Sequence, residues 1–327
     1  MKKHTRIFLG VLLLITTLLS GCGLQETNPI DHKTKIGIML SDVGLGDQSF
    51  SDAGFNGLEK ARNHLDIIFE YRELKDTKTY EKGLTELAES GNDLIIGLGF
   101  MVQEDLEKVA KKYPEKQFLL VDSVSDVDNV SSLTFKEDEG SYLAGVMAAL
   151  TTKTKTVGFV GGENAPLIQK FAKGFTEGVK SIDPSIKVLK EYAGDFGNDK
   201  LGEKIAKDMI AKKSDVLYAA AGFTGVGVLK KAEQEGVYAI GVDSDQFFYA
   251  EKAIITSMVK NVDSALYDVV KEFKQTKTIK NKHIELGLAE KGVGLATIRL
   301  VSLSDKQQAK LKEAEQKIIN HEVSFTN

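Results

Sequence analysis

The run from Gln117 to Leu150, QFLLVDSVSDVDNVSSLTFKEDEGSYLAGVMAAL, decides how the chain folds. Phe118–Val121 is an uninterrupted apolar segment, the pattern of a strand covered on both faces of a parallel sheet. It delivers Asp122 and Ser123 to its carboxyl end, where open α/β sheets bind ligands. A second short strand, Ser132–Phe135, runs into an acidic turn. The helix that follows carries Gly140, Ala144, Gly145, Ala148 and Ala149, small residues that let another backbone come close. It reads as a crossing between two lobes, with one half of a clamp before it and most of the other half after it.

Upstream, Lys35–Leu40 is an apolar strand ending at Ser41 and Asp42, followed by the loop VGLGDQSF (43–50) and a helix with Phe55, Leu58 and Ala61 on one face. Strands Ile67–Tyr71 and Leu94–Leu98 flank a helix at Tyr80–Ala88, and Val102, Leu106, Val109 and Ala110 line another. Downstream the rhythm restarts. Strands Thr156–Val160, Ile186–Tyr192, Asp215–Ala220 and Val237–Val242 alternate with helices Leu167–Val179, Leu201–Ala211 and Val228–Glu235. Ile254–Lys260 and Ser264–Phe273, a strand and a helix, return the chain across the hinge. The last helix opens on a capping box, Ser304 and Gln307, and should bury Leu311, Ala314 and Ile318. This alternation predicts two doubly wound α/β lobes with parallel sheets, residues 35–138 with about 262–285 forming one and 139–261 with about 286–320 the other.

The amino terminus sets the compartment. Lys2, Lys3 and Arg6 precede the apolar run Ile7–Leu19 and then Leu19-Ser20-Gly21-Cys22, a secretory signal over 1–21 that is too short for a comfortable membrane span. Its end resembles the bacterial lipobox, which implies a lipid on Cys22, a tether over 22–34 and a cell-membrane, extracytoplasmic location. Cys22 is the only cysteine, so no disulfide is expected. Removing 1–21 takes away three basic residues and leaves a net charge of about −7, with no basic cluster to hold nucleic acid.

Catalysis finds little support. The five histidines are scattered without metal-ligand spacing, and no G-x-S-x-G elbow, Walker lysine or cysteine nucleophile occurs. No enzyme, metal or cofactor is expected. Gly44-x-Gly46-x-x-Ser49, with Glu70 at the end of the next strand, resembles a dinucleotide fingerprint, but its third glycine is replaced and Asp47 stands where a pyrophosphate would sit. The strand ends point elsewhere. Asp42, Asp47, Asp122 and Asp243, with Ser49, Ser123 and Lys260, supply acceptors and a few donors, while Phe50, Phe100, Phe196 and Phe223 supply flat apolar faces. That mixture suits a ligand with an aromatic ring and a polyol, because rings stack on a base at about 1–3 kcal/mol each and carboxylates accept from ring N–H groups or a diol. Any strand-end Asp can instead cap the next helix, and any loop Phe can pack in the core or hinge.

Taken together, DQSF (47–50), GLGF (97–100), VDS (121–123), LTFKEDEGSYLAG (133–145), GFVGG (158–162), AAGFTGVG (220–227), AIGVDSDQ (239–246), TSMVK (256–260) and GVGL (292–295) resemble the basic membrane protein family of lipoproteins, the purine-nucleoside receptors of ABC importers. The resemblance implies a type I periplasmic-binding-protein fold with a multi-strand hinge, capture of guanosine, inosine or adenosine, and a membrane permease as partner. It implies further that Phe50 stacks on the base, that Asp122 reads the purine edge, and that Asp243 and Lys260 hold the ribose. Asp47, Ser49, Ser123 and Gly222 would line the same loops, with Phe196 or Phe223 as the opposing aromatic. A sensor lipoprotein of the same fold, or a site for a sugar or other small polar ligand, are the alternatives.

Overall fold

The computed structural model describes residues 32–325. Cys22, the apolar run before it and all but the end of the tether lie outside the described residues.

Mostly apolar runs of three to seven residues form the strands, and amphipathic stretches between them form the helices. Strands β1 (Thr34–Met39), β2 (Ile67–Arg72), β3 (Leu94–Leu98), β4 (Gln117–Val121) and β5 (Val130–Phe135) alternate with helices α1 (Phe50–Leu65), α2 (Tyr80–Glu89) and α3 (Gln103–Lys112). Helix α4 (Glu137–Thr151) then carries the chain to β6 (Thr156–Gly161), α5 (Pro166–Ile182), β7 (Lys187–Tyr192), α6 (Asp199–Ala211), β8 (Val216–Ala220), α7 (Gly222–Glu235), β9 (Tyr238–Asp243) and β10 (Ile254–Lys260). Helix α8 (Val262–Thr276) leads back to β11 (His283–Leu286), and β12 (Val293–Leu295) and α9 (Asp305–Ile319) end the fold.

Two six-stranded sheets result, ordered β2-β1-β3-β4-β5-β11 and β7-β6-β8-β9-β10-β12. The order is the same in both, so each strand of one sheet has a counterpart in the other. Every pairing is parallel except β12 with β10, which runs antiparallel at the sheet edge. Strands β11 and β12 escape the sequence reading because four and three residues are too short to display a two-residue period.

The chain passes between the sheets three times, through α4, through the β10–α8 corner, and through the link from β11 to β12. These passages are tied to one another. Lys136 N donates to Leu286 O (3.0 Å), Asn261 N to Gly292 O (2.8 Å), and Leu288 N to the Glu139 carboxylate (2.8 Å).

The small residues of α4 serve the close approach that their pattern suggested. A Cβ on Gly145 would lie 2.1 Å from Phe175 O, and one on Gly178 of α5 would lie 2.0 Å from Tyr142 O. The two helices therefore meet backbone against backbone. Phe118 and Phe135 are fully buried. Phe55 is only half-buried and meets Phe69 and Tyr71 edge-on, and Leu311 is likewise half-buried while Ala314 and Ile318 are covered.

Adding one methyl at this contact must push the helices apart. Gly178→Ala is expected to lower the unfolding free energy by about 2 kcal/mol, the scale of overpacking in a dense interior; a urea titration giving an unchanged midpoint would show that the contact yields freely.

Candidate functional site

The carboxyl ends of β1, β3 and β4 face those of β8, β9 and β10 across a cleft. Its walls come from both halves of the chain. Asp42, Phe50, Phe100 and Asp122 stand on one side, with Phe171, Phe196, Gly222, Asp243 and Lys260 on the other.

The front wall is built by one carboxylate. Asp47 accepts from the backbone N–H groups of Ser49 (2.9 Å), Ser51 (2.7 Å) and Asp52 (3.2 Å), and so satisfies the free amides at the start of α1. This places Phe50, the first helical residue, against the cleft. Burial pushes the Asp47 carboxyl up to about 6, despite the amides that pull it down. Asp52 takes the amides of Gly46 (2.8 Å) and Gln48 (3.0 Å), and Glu73 takes that of Leu45 (3.0 Å). The amides of Leu45, Gly46, Gln48 and Ser49 are thus occupied by carboxylates. A pyrophosphate would meet these acids rather than open donors, and Glu70 is itself engaged by Asn92 and Arg72.

Asp122 and Asp243 occupy counterpart strand ends, after β4 and at the end of β9, and both adopt left-handed backbone, with φ of 67° and 63°. An L residue there costs about 1 kcal/mol or more, a strain that tends to gather at functional positions. Between them lies the Lys260 ammonium. It bonds Asp122 Oδ2 at 2.5 Å and approaches Glu137 Oε1 at 3.1 Å, while the rings of Phe50, Phe135 and Phe171 surround it at 4.9, 5.1 and 5.8 Å from their centroids. Burial alone pulls Lys260 down, yet the charges of Asp122, Glu137 and Asp243 more than offset it and hold the ammonium above the ordinary lysine value. Burial pushes the Asp243 carboxyl up, opposed by Lys260 and by the hydroxyl of Ser49, which donates to it. Burial also raises Asp42 at the mouth, where Asp195 and Glu163 add like charge.

Asp122 Oδ1 is buried and makes no hydrogen bond among the described residues. It lines the cleft beside Lys260, so an acceptor stands ready for a donor brought by a ligand.

Of the residues singled out from sequence, Asp42, Asp47, Phe50, Phe100, Asp122, Phe196, Gly222, Asp243 and Lys260 come together around the cleft. Three do not line it. Ser49 stands behind Asp243, Ser123 donates to Gln103 Oε1 outside the cleft, and Phe223 sits half-buried in the first turn of α7. Phe171, within the helix read at Leu167–Val179, and Glu137, within the acidic turn after β5, were not singled out, although Phe171 lines the cleft and Glu137 is wholly buried beside Lys260. Nothing local in KEDEG marks which acid turns inward.

Removing the cation tests the cluster. Lys260→Met leaves Asp122, Glu137 and Asp243 without their cation and is expected to cost about 3–5 kcal/mol near pH 8. Burial pushes Glu137 and Asp243 up and Lys260 opposes it, so without the ammonium the folded-state values of these two rise further, and the lost stability returns as pH falls toward the unfolded-state values near 4 and is lost again as pH rises. Thermal melts should show the gap from wild type narrowing between pH 8 and pH 5; a gap independent of pH would refute the arrangement.

A family model described as "Bmp: ABC transporter substrate-binding protein PnrA-like" matches residues 33–327. The chain is 34% identical to an uncharacterized lipoprotein of Pyrococcus abyssi, over 92% of this chain and 80% of that one. It is 32% identical to the ABC transporter nucleoside-binding protein BmpA of Lactococcus lactis, over 88% and 92%. Among solved structures, an ABC transporter solute-binding protein from Aeropyrum pernix superposes with a TM-score of 0.82 at 26% identity, covering 89% of this chain and 93% of that one. The two lobes have the type I periplasmic-binding-protein architecture, and the family's members bind solutes for transport. The chain belongs to the Bmp family of PnrA-like ABC transporter substrate-binding proteins.

Proposed function

We propose that this protein captures purine nucleosides between its two lobes and delivers them to an ABC permease, held at the extracytoplasmic face of the cell membrane by a lipid on Cys22. The observation that carries the reading is the buried Asp122–Lys260 pair, with Asp122 Oδ1 free, at the base of a cleft walled by Phe50, Phe100, Phe171 and Phe196. A purine offers ring N–H donors for a carboxylate and two faces for phenyl rings, and a ribose offers hydroxyls that can both donate to Asp243 and accept from Lys260. The printed name of the Lactococcus lactis relative, a nucleoside-binding protein, supports the same class.

Closure has contacts to draw on. Gln246 Nε2 donates to Gln48 O (3.0 Å) and Ser49 Oγ to Asp243, each joining elements of different sheets. A ligand shifts the lobes only by its differential affinity for open and closed forms. Two aromatic contacts with three or four hydrogen bonds to charged groups are enough for micromolar binding, about −8 kcal/mol.

A thermal-shift panel of guanosine, inosine and adenosine against sugars checks the ligand class, since ligand at a hundred times its Kd adds about 2.7 kcal/mol; stabilisation by sugars alone would overturn it. Phe50→Ala and Asp122→Ala are each expected to weaken nucleoside binding by about tenfold or more, 1.4 kcal/mol. Calorimetry returning wild-type affinity for both would overturn the assignment of the site.

A further inference from the structure

The acidic first turn of α4 divides its labour. Glu139 holds the passage from β11 to β12 through Leu288 N. Glu137, two residues earlier, points inward and meets Lys260 at the β10–α8 corner. Glu137 is fully buried, and neither of its carboxylate oxygens makes a hydrogen bond among the described residues, because the 3.1 Å approach to Lys260 is not aligned as one. A buried carboxylate so poorly satisfied is costly unless it serves the site beside it.

Three carboxylates therefore share one ammonium, but they are not equivalent. Asp122 and Asp243 line the cleft, whereas Glu137 does not. Ligand donors can reach the first two only. While Lys260 is drawn to Asp122 it occupies Oδ2, and only Oδ1 of that carboxylate is left for a ligand. We infer that Glu137 is a positioning residue, whose ionised form draws Lys260 off Asp122 and so frees Asp122 for the nucleoside, making ligand capture proton-linked. The inference rests on the nucleoside reading of the cleft.

The groups facing Glu137 are few. Lys260 from β10 and Lys170 from α5 favour its charge, Asp122 at the end of β4 opposes it, and Tyr218 of β8 lies close by, its hydroxyl bonded to Ser141 of α4 at 3.1 Å. Asp243 stands beyond Lys260 and competes for the same cation. Burial pushes Glu137 up to about 7, against the pull of Lys260. The sign follows. Below that value the proton sits on Glu137, Lys260 stays with Asp122, and the ligand binds more weakly. Above it the charged Glu137 holds Lys260, and the ligand binds more tightly, so capture releases a proton.

The test is calorimetric titration of inosine, guanosine and adenosine into wild type, Glu137→Gln and Glu137→Asp between pH 5.5 and 8.5. Wild-type affinity is expected to rise about three- to tenfold across that range, tenfold corresponding to one unit of pKa change on binding. Glu137→Gln should give a flatter profile, because Asp42, Asp47 and Asp243 titrate in both proteins and only the Glu137 contribution is removed. Glu137→Asp keeps a charge at the position and should retain a pH dependence, and it carries the test if the glutamine variant does not fold. Parallel profiles in wild type and both variants would overturn this inference and leave the nucleoside reading standing. No binding of any nucleoside to wild type at any pH would overturn both.

Discussion

One ammonium group sits where the halves of this protein meet, and much of the architecture is arranged around its charge. Lys260 ends β10, immediately before the chain turns back across the hinge, and its Nζ is buried among Asp122, Glu137 and the rings of Phe50, Phe135 and Phe171. Taking such a group out of water costs several kcal/mol, which only close, well-placed anions can offset. Those anions arrive from separate parts of the chain. Asp122 comes from the first sheet, Asp243 from the second, and Glu137 from the helix that joins them. An ion cluster drawn from all three constrains how the halves can sit, and it places the charge at the base of the cleft.

The repeated strand order explains why the cleft has acids on both sides. Two sheets with the same order, set with their carboxyl ends toward one another, bring counterpart strand ends into opposition. Asp122 and Asp243 are such a pair, down to the shared left-handed backbone. The counterparts are not chemically matched elsewhere. The end of β10 bears Lys260, while the end of β5 bears Phe135, whose ring packs against that same ammonium. A near-symmetric frame thus holds an asymmetric site.

Much of this was legible in the residues. Continuous apolar runs gave most of the strands, and their spacing gave two α/β lobes. Most of the acids, phenylalanines and lysine picked out at the strand ends gather around one cleft, because the carboxyl edge of a parallel sheet is where side chains escape the core. Legibility failed where geometry, rather than composition, decides. Glu137 and Glu139 are both acids in one helical turn, and only the packing of α4 against β10 and β12 shows which one faces the ammonium. Phe171 has the spacing of a core residue and is buried, yet it also lines the cleft. Phe223 and Ser123 stand next to residues that line the cleft but project elsewhere, a difference of one side-chain direction that no pattern of residue types records.

The glycine contact between α4 and α5 has a mechanical meaning. With no side-chain layer between the two backbones, the helices have nothing to slide on and behave as a single stiff beam. One end of that beam bears the inward-facing acid of the hinge, and the other member bears Leu167, Ile168 and Phe171 on the cleft wall. Both lie at the same end of the pair, beside Lys260, so a tilt of the joined helices carries the hinge acid and that stretch of wall together.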